Sequence, residues 1–440
     1  MSPFFSLTIQ LLASLSILVF IHELGHFLFA RKFKVRVEKF YLFFDPWFSL
    51  FKYKPRGSDT EYGIGWLPLG GYCKISGMID ESLDTDQMAS EPQPYEFRSK
   101  PAWQRLLIMF AGVLFNAILA IFIYTGISLA WGKIQLPSEN IHSGMAFSDV
   151  AKDIGFQDND IIIAVDGQKE DALDRGFMRK IIQAQDVEVL RNGQKVTIDI
   201  PSDMMERLLR TNNGLMSIQF PLVIDSVMKT GGASQAQLLP GDSLVAIDST
   251  SVPDVRDALT KMNSLRGNES VFTFARNGEL FTTPVKIDTA GHIGIVMKRV
   301  TDVYKTNHIS YNIFNAIPAG IDQGMGTMKS YVGDMKYVFT KEGAKQMGGF
   351  GTIGKLFPYP FNWHDFWSIT AFLSIILAVM NLLPIPGLDG GHIMFLFIEM
   401  ISGRKVSQKI LVTAQVIGML LLFALVLYAN GNDLFRYLIK

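Results

Sequence analysis

A histidine pair and a glutamate near the N-terminus have the spacing of a metal site. Residues 22–26 read His-Glu-Leu-Gly-His. On a helix, positions four residues apart share a face, so His22 and His26 can both reach one zinc ion at about 2.0–2.1 Å. Glu23 lies beside them, placed to take a proton from a zinc-bound water. The alternative is a chance match, in which all three are ordinary solvated residues.

The motif lies inside an apolar stretch, which favours the functional interpretation. Hydrophobic residues make up 48% of the 440 residues. Four stretches, at about 4–29, 106–131, 366–400 and 410–428, are long enough to cross a bilayer, which takes roughly 20 residues. The first does not resemble a signal peptide, because it lacks a basic start and polar residues interrupt it. Ionisable residues inside a span are costly and usually functional.

A catalytic zinc site needs a third protein ligand and an open position for water. Asp389 is the other ionisable residue deep in a span, whereas Glu399 lies near a helix end where water can solvate it. The third span carries Pro384 and Pro386, so we expect a broken helix there. Measured from the outer ends of their spans, His22 and Asp389 lie within roughly 6 Å in depth. The alternative role of Asp389 is to cap the restarted helix.

Charge and cysteine content exclude other classes. The chain has 41 basic and 41 acidic residues, so no overall field points to nucleic acid, and none is expected as a partner. Cys73 is the only cysteine, which excludes an intramolecular disulfide.

Basic clusters orient the spans through the positive-inside rule. One cluster follows the first span, one precedes the second, and one lies between the third and fourth. With these on the cytoplasmic side, both termini and residues from about 132 to 363 lie outside, which in a Gram-negative cell is the periplasm. The clusters are Arg31, Lys32, Lys34, Arg36 and Lys39; Arg98, Lys100 and Arg105; and Arg404, Lys405 and Lys409.

The exterior region contains two similar passages. Residues 155–167 and 239–248 each give a turn and a short apolar strand, and each passage later ends in Arg-Asn-Gly. Copies about 85 residues apart indicate a pair of small domains. The pattern resembles PDZ domains, although residues 158–160 replace the usual Pro-Gly-Asp and residues 248–249 lack the usual glycine. The alternative is a pair of generic β-rich domains.

Two further segments are interpreted by their relation to the membrane. Residues 63–78 are apolar, glycine-rich and too short to span as a helix, so we expect a hairpin that dips into the membrane. Its edge is suited to pair with an extended peptide. The alternative is a cytoplasmic hairpin. Residues 306–365 are expected to form an amphipathic segment at the membrane surface.

At this point the chain resembles the site-2 protease family. The resemblance rests on H-E-L-G-H in the first span and on N-x-x-P-x-P-x-x-D-G at residues 381–390, and it covers nearly the whole chain. It implies that His22, His26 and Asp389 bind Zn²⁺ and that Glu23 is the general base and acid.

The resemblance also implies substrate contacts. Asn381 would contact the substrate backbone, and the residues of the re-entrant β element, Gly70, Gly71 and Tyr72, would bind it as well. The second span of the family often reads G-P-x-x-N. Here residues 112–116 read Gly-Val-Leu-Phe-Asn without the proline, so Asn116 is either an active-site neighbour or a helix-packing amide.

The expected fold is a multi-span α-helical membrane protein with four transmembrane helices, a re-entrant β-hairpin and two inserted PDZ-like α+β domains. The expected parts are a first membrane half at 1–131, PDZ-like domains at 132–220 and 221–305, the surface segment at 306–365, and the last spans at 366–440.

The resemblance implies an intramembrane zinc metalloprotease of the bacterial inner membrane, with its site toward the cytoplasmic side. Expected substrates are pre-trimmed single-pass membrane proteins similar to anti-sigma factors, with remnant signal peptides as a second class. The exterior domains would admit trimmed substrates. One alternative is a non-catalytic PDZ scaffold with a structural metal, although structural zinc usually has four protein ligands. A metal-ion transporter would need polar residues in more spans.

Overall fold

The computed structural model describes residues 2–68, 70–78, 91–174, 176–211, 214–338 and 340–438. The chain divides into two compact units. The membrane unit comprises Met1–Gly132 and Ser310–Lys440, and the insert unit comprises Lys133–Ile309.

The membrane unit begins with a 30-residue helix, α1 (Pro3–Lys32). Proline at the first position and the Ser2 hydroxyl, which accepts a hydrogen bond from the N–H of Phe5 at 3.4 Å, start the helix. The next elements are β1 (Val37–Leu42), β2 (Phe44–Tyr53), β3 (Glu61–Leu67), β4 (Tyr72–Ile75) and a second 30-residue helix, α2 (Ala102–Trp131).

The four strands form one sheet in the order β2-β3-β1-β4. β1 pairs with β3 in parallel and with β4 antiparallel, with Tyr41 opposite Tyr72. The predicted hairpin at 63–78, of which Leu69 lies outside the described residues, is therefore wrong in its pairing. β3 and β4 do not pair with each other, because β1 lies between them.

The insert unit holds two hydrophobic cores, one that includes Val187 and Val189 and one that includes Phe272 and Phe274. Its elements are β5 (Lys133–Gln135), β6 (Met145–Phe147), α3 (Asp149–Lys152), β7 (Ile161–Val165), α4 (Phe177–Gln183), β8 (Asp186–Arg191), β9 (Gln194–Asp199), α5 (Met204–Thr211), β10 (Met216–Ile218), β11 (Ile224–Val227), α6 (Gly232–Gln235), β12 (Ser243–Ile247), β13 (Thr250–Ser251), α7 (Val255–Ser264), β14 (Glu269–Arg276), β15 (Glu279–Lys286), β16 (Ile295–Met297), α8 (Val300–Val303) and β17 (Asn307–Ile309).

A buried aspartate beside each core has the same set of partners. Asp160 accepts hydrogen bonds from Arg191 at 2.8 and 2.7 Å and from a backbone N–H at 2.9 Å. Asp242 accepts two from Arg276, both at 2.7 Å, and one from a backbone N–H at 2.8 Å. Each arginine belongs to one of the two Arg-Asn-Gly turns found in the sequence.

The chain then returns to the membrane unit. The remaining elements are α9 (Ile313–Val338), α10 (Lys341–Gln346), α11 (Phe350–Gly354), α12 (Trp363–Leu382), α13 (Asp389–Ser402) and α14 (Gln408–Leu438). α9 packs on α2, because Gly320 and Gly324 bring its backbone close to Thr125 and Ile121.

Four helices, α1, α2, α12 and α14, are long and apolar enough to cross a membrane, which confirms the four predicted spans. The predicted break in the third span is also confirmed. α12 ends at Leu382 and α13 begins at Asp389, separated by a segment with two prolines and with Gly387 at a φ of 96°. α2 packs against α1, α12 and α13.

Candidate metal centre

The two motif histidines face the protein interior from one side of α1. His22 is 8% exposed and His26 is 6% exposed. Because they are four residues apart on a regular helix, their rings meet edge to face, with 3.2 Å between the two Nε2 atoms. Both histidines therefore direct the same ring nitrogen to one point.

The broken third span delivers Asp389 to that point. Its Oδ2 lies 3.2 Å from Nε2 of His22 and 3.3 Å from Nε2 of His26. Asp389 is the first residue of α13, and the capping position is held by Leu388, which has no side-chain hydrogen bond to the helix. The carboxylate of Asp389 is thus directed to the two histidines.

These three atoms fit a zinc ion. In a tetrahedral site with bonds of about 2.0–2.1 Å, two ligand atoms lie about 3.3–3.4 Å apart. The three sides measured here are 3.2, 3.2 and 3.3 Å. Among the described residues, His22, His26 and Asp389 are the one group of three or more histidine, cysteine or acidic side chains arranged to hold a metal.

The outer nitrogen of His26 has a definite partner. Its Nδ1 lies 2.9 Å from the backbone carbonyl oxygen of Ile108 in α2. A carbonyl only accepts, so Nδ1 carries the proton and Nε2 presents its lone pair, as a metal ligand requires. Nδ1 of His22 lies 3.3 Å from Nδ2 of Asn116, also in α2.

Two glycines allow α1 and α2 to approach each other closely beside the histidines. A Cβ added at Gly25 would lie 2.5 Å from the carbonyl oxygen of Ala111. One added at Gly112 would lie against Nε2 of His26 and 2.7 Å from Cε1 of His22. Glycine at both positions therefore allows the backbone of α2 to pass beside the imidazoles.

The metal centre opens into a cavity of about 580 Å³. Glu23 lines this cavity, and its carboxylate accepts a hydrogen bond from the backbone of Cys73 in β4. Asn381 also lines it, with Nδ2 at 3.4 Å from Nε2 of His22. The candidate general base, the three candidate ligands and one strand edge thus line a single cavity.

Of the three predicted substrate-binding residues in the β element, two line the cavity and one does not. Gly71 and Tyr72 line the cavity, whereas Gly70 does not. A Cβ added at Gly70 would lie 2.7 Å from the ring of Phe44, so close packing accounts for this glycine.

Two polar cavity residues within the predicted third and fourth spans were missed in the sequence. His392 follows Asp389 by three residues and therefore shares its face of α13. Gln415, which is 5% exposed, belongs to the apolar fourth span. A search for every polar residue inside the spans would have found both.

Comparison with known proteins gives consistent results. The sequence profile of peptidase family M50 matches residues 10–425. The chain is 30% identical over 437 residues to a protein of Borreliella burgdorferi named "Putative zinc metalloprotease", covering 96% of both chains. It is 27% identical to the regulator of sigma E protease of Haemophilus influenzae, covering 96% of this chain and 97% of that one. It is 29% identical to the regulator of sigma-E protease RseP of Salmonella typhimurium, with the same coverage.

Proposed function

Since the chain belongs to peptidase family M50 and is an intramembrane zinc metalloprotease, we propose that it cleaves peptide bonds within the transmembrane segments of pre-trimmed single-pass membrane proteins. The observation that carries this proposal is the meeting of His22, His26 and Asp389 beside Glu23, between helices long enough to cross a membrane.

His22, His26 and Asp389 are the proposed zinc ligands. Bound there, zinc supplies Lewis acidity to a peptide carbonyl and to a water molecule. Glu23 takes a proton from the attacking water and returns it to the leaving amine, a transfer that contributes about 10²–10⁴-fold to such reactions. The hydrogen bond from Cys73 holds the Glu23 carboxylate toward the cavity.

The β-sheet is proposed to lie at membrane depth. β2 displays a row of exposed large apolar side chains, and Trp47 at its start is 91% exposed. A patch of this kind is unusual on a water-exposed surface and suits contact with lipid. The exposed large apolar residues of the strand are Trp47, Phe48, Leu50, Phe51 and Tyr53.

β4 is the proposed docking edge for substrate. It forms one edge of the sheet, and Gly71 and Tyr72 line the cavity there. An unfolding transmembrane helix exposes backbone groups that each cost several kcal/mol in lipid, and a strand edge offers replacement partners. Asn381 offers a further side-chain amide.

Photo-crosslinking tests this edge. A photoreactive phenylalanine at Tyr72 in the Glu23→Gln protein should crosslink to a bound transmembrane substrate. The same residue at Trp47, on the opposite edge strand, is the control. Crosslinking at Trp47 without crosslinking at Tyr72 would exclude β4 as the docking edge.

The insert unit is proposed to select substrates. Its two cores, with matching Asp–Arg pairs, support a tandem of PDZ-like modules within 132–220 and 221–305. On the likeness to the regulators of sigma-E protease, proposed substrates are anti-sigma-factor-like proteins already trimmed outside, with remnant signal peptides as a second class.

Deleting residues 132–300 should abolish the preference for a trimmed over a full-length substrate and leave the chemistry intact, because the proposed ligands lie elsewhere in the chain. A deletion variant that keeps the wild-type preference would refute substrate selection by the insert unit.

The proposed location is the bacterial inner membrane, with the termini and the insert unit periplasmic and residues 306–365 at the membrane surface. In this orientation Cys73 is inaccessible from outside. An impermeant maleimide applied to spheroplasts should leave Cys73 unlabelled while it labels an engineered cysteine in the insert unit. Efficient labelling of Cys73 from outside would contradict the proposed orientation.

Glu23→Gln is the central test of the mechanism. The purified variant should keep zinc and lose at least about 10²–10⁴ in cleavage rate on a model transmembrane substrate, because it lacks the base and keeps the ligands. Wild-type protein with a chelator is the matched control and should lose activity and regain it with zinc. Near-normal turnover by Glu23→Gln would remove Glu23 from the mechanism.

A further inference from the structure

Asn116 is a fully buried amide beside the proposed metal centre, and the mechanism above gives it no role. It lies in α2 with 0% exposure, and its Nδ2 is 3.3 Å from Nδ1 of His22. Its Oδ1 is also buried, and among the described residues no hydrogen-bond partner reaches that oxygen. A buried acceptor without a donor is costly, so the arrangement requires an explanation.

The protons of His22 supply the explanation. Nε2 of His22 faces Nε2 of His26 and Oδ2 of Asp389, so it is the nitrogen that would bind zinc. A nitrogen that binds a metal gives its lone pair, and the ring proton must then lie on Nδ1. That N–H points at Asn116 and needs an acceptor. The NH₂ group of an amide cannot accept.

A half-turn of the Asn116 amide satisfies both groups. The oxygen and nitrogen of an asparagine exchange places on rotation about χ2. The rotation puts Oδ1 where Nδ2 lies, within hydrogen-bond distance of Nδ1 of His22. We propose that Asn116 is a positioning residue that accepts a hydrogen bond from the Nδ1–H of His22 and so fixes this ring as a zinc ligand.

The two histidines would then be held alike, both from α2. His26 donates to the backbone carbonyl of Ile108 at 2.9 Å, and His22 would donate to the side chain of Asn116. α2 is held at this level, since the backbone carbonyl of Asn116 accepts a hydrogen bond at 2.7 Å from the buried hydroxyl of Ser374 in α12. The His22 contact is the one that substitution can remove.

This inference rests on the proposed zinc ligands, and its test measures zinc affinity by chelator competition in the full-length purified protein. Asn116→Leu removes the acceptor at similar volume and should weaken zinc binding about 10–100-fold, the usual effect of losing such a partner. Asn116→Asp presents only acceptors and should bind zinc at least as tightly as wild type. In cobalt-loaded protein, Asn116→Leu should shift the ligand-field absorption, and Asn116→Asp should retain the band intensity of wild type.

Ser374→Ala and His22→Ala are the controls. Ser374→Ala disturbs the packing of α2 on α12 without touching the acceptor, so its zinc affinity should stay within about threefold of wild type, an effect of roughly 0.7 kcal/mol by the relation between affinity and free energy. His22→Ala should lose zinc. If it keeps zinc, the ligand assignment itself fails, which is distinct from failure of the Asn116 role.

Each outcome for the Asn116 variants is decisive. Wild-type zinc affinity in Asn116→Leu would overturn the proposal. So would a loss in Asn116→Asp equal to that in Asn116→Leu, because the amide would then act as a donor or as packing. If thermal unfolding shows that Asn116→Leu does not fold, Asn116→Ala, which also lacks the acceptor, takes its place: weakened zinc binding supports the proposal and wild-type affinity overturns it.

Discussion

Both units of the protein bury aspartates, and the surroundings of these carboxylates differ. In the insert unit, the side chains of Asp160 and Asp242 are each 1% exposed, and each meets its own arginine in a two-pronged contact. In the membrane unit, Asp389 meets two histidines, and no lysine or arginine of the described chain lies within ion-pair distance of it. Histidines that bind a metal are neutral, so they leave the charge of Asp389 uncompensated.

The difference distinguishes carboxylates that stabilise a fold from the one that we propose as a metal ligand. A buried charge needs a counter-charge, and the insert unit supplies it from the chain. At Asp389, where both histidines are neutral if they bind zinc, the proposed counter-charge is the metal cation itself. Location in the membrane unit does not explain why Asp389 lacks an arginine or lysine partner. Glu399 of α13 lies in the same unit and pairs with Arg105 of α2, and both side chains are largely buried.

The largest expected effect comes from removing the two kinds of aspartate in turn. Losing the hydrogen-bond partner of a metal ligand weakens metal binding by about 10–100-fold. Asp389→Ala removes a proposed ligand itself, so zinc affinity should fall by more than this, and cleavage should fall with it. Asp242→Ala should keep zinc and lower the stability of the insert unit by about 1–3 kcal/mol, because charged hydrogen bonds are lost. Metal analysis and thermal unfolding of both purified variants measure this.

His22→Ala is the control for loss of metal in that experiment. A full zinc complement in Asp389→Ala would remove this residue from the site and break the comparison. Asp389→Asn cannot decide, because an amide oxygen still coordinates weakly.

For the membrane unit, this arrangement could be predicted from the sequence, whereas the Asp–Arg pairs of the insert unit were not predicted. Helical spacing placed His22 and His26 on one face, and two prolines predicted the break that places Asp389 beside them. These inferences rest on local rules, namely helix periodicity and proline geometry, and on the depth that a bilayer imposes.

The rest depended on contacts distant in sequence. Alternating apolar residues at 63–78 predicted strands but not their partners, and β1, which lies between β3 and β4, falls in a segment that was interpreted only as a basic flank. Glu399 was expected to meet water, but its partner Arg105 lies 294 residues away in sequence. The resemblance left Asn116 as either an active-site neighbour or a helix-packing amide, because no local pattern shows which face of α2 meets α1.

A smaller effect is expected from removing the arginines. Arg276→Met leaves the carboxylate of Asp242 buried without its cation and should destabilise the core around it, by less than for a fully buried pair because Arg276 is about one-third exposed. Arg191→Met should do the same to the first core. Thiol exchange at Ala258→Cys and at Ala151→Cys, in a Cys73→Ser background, reports the opening of each core, since both alanines are fully buried.

Each arginine variant is the control for the other. Arg276→Met should speed exchange at position 258 and leave position 151 unchanged, and Arg191→Met should do the reverse. Equal acceleration at both positions would mean that the insert unit opens as one body, against the proposal of two separate modules.

The smallest expected effect is the change in stability of the second core in acid. It should have opposite signs in the wild type and in Arg276→Met. The hydrogen bond from Arg276 holds the pKa of Asp242 below its usual value of about 3.9. The stability from this pair is therefore fully present above that value and is lost as the pH falls through the lowered pKa. Wild-type exchange at position 258, divided by the rate of a free thiol at the same pH, should be flat from neutral pH to about pH 4 and should then rise. In Arg276→Met the buried carboxylate has no cation, burial raises its pKa, and protonation relieves the cost. The exchange rate of the variant, divided by that of wild type, should therefore fall as the pH drops below about 5, measured with a dipyridyl disulfide that reacts in acid. A ratio that stays constant or rises would show that the pair does not hold Asp242 in its charged form.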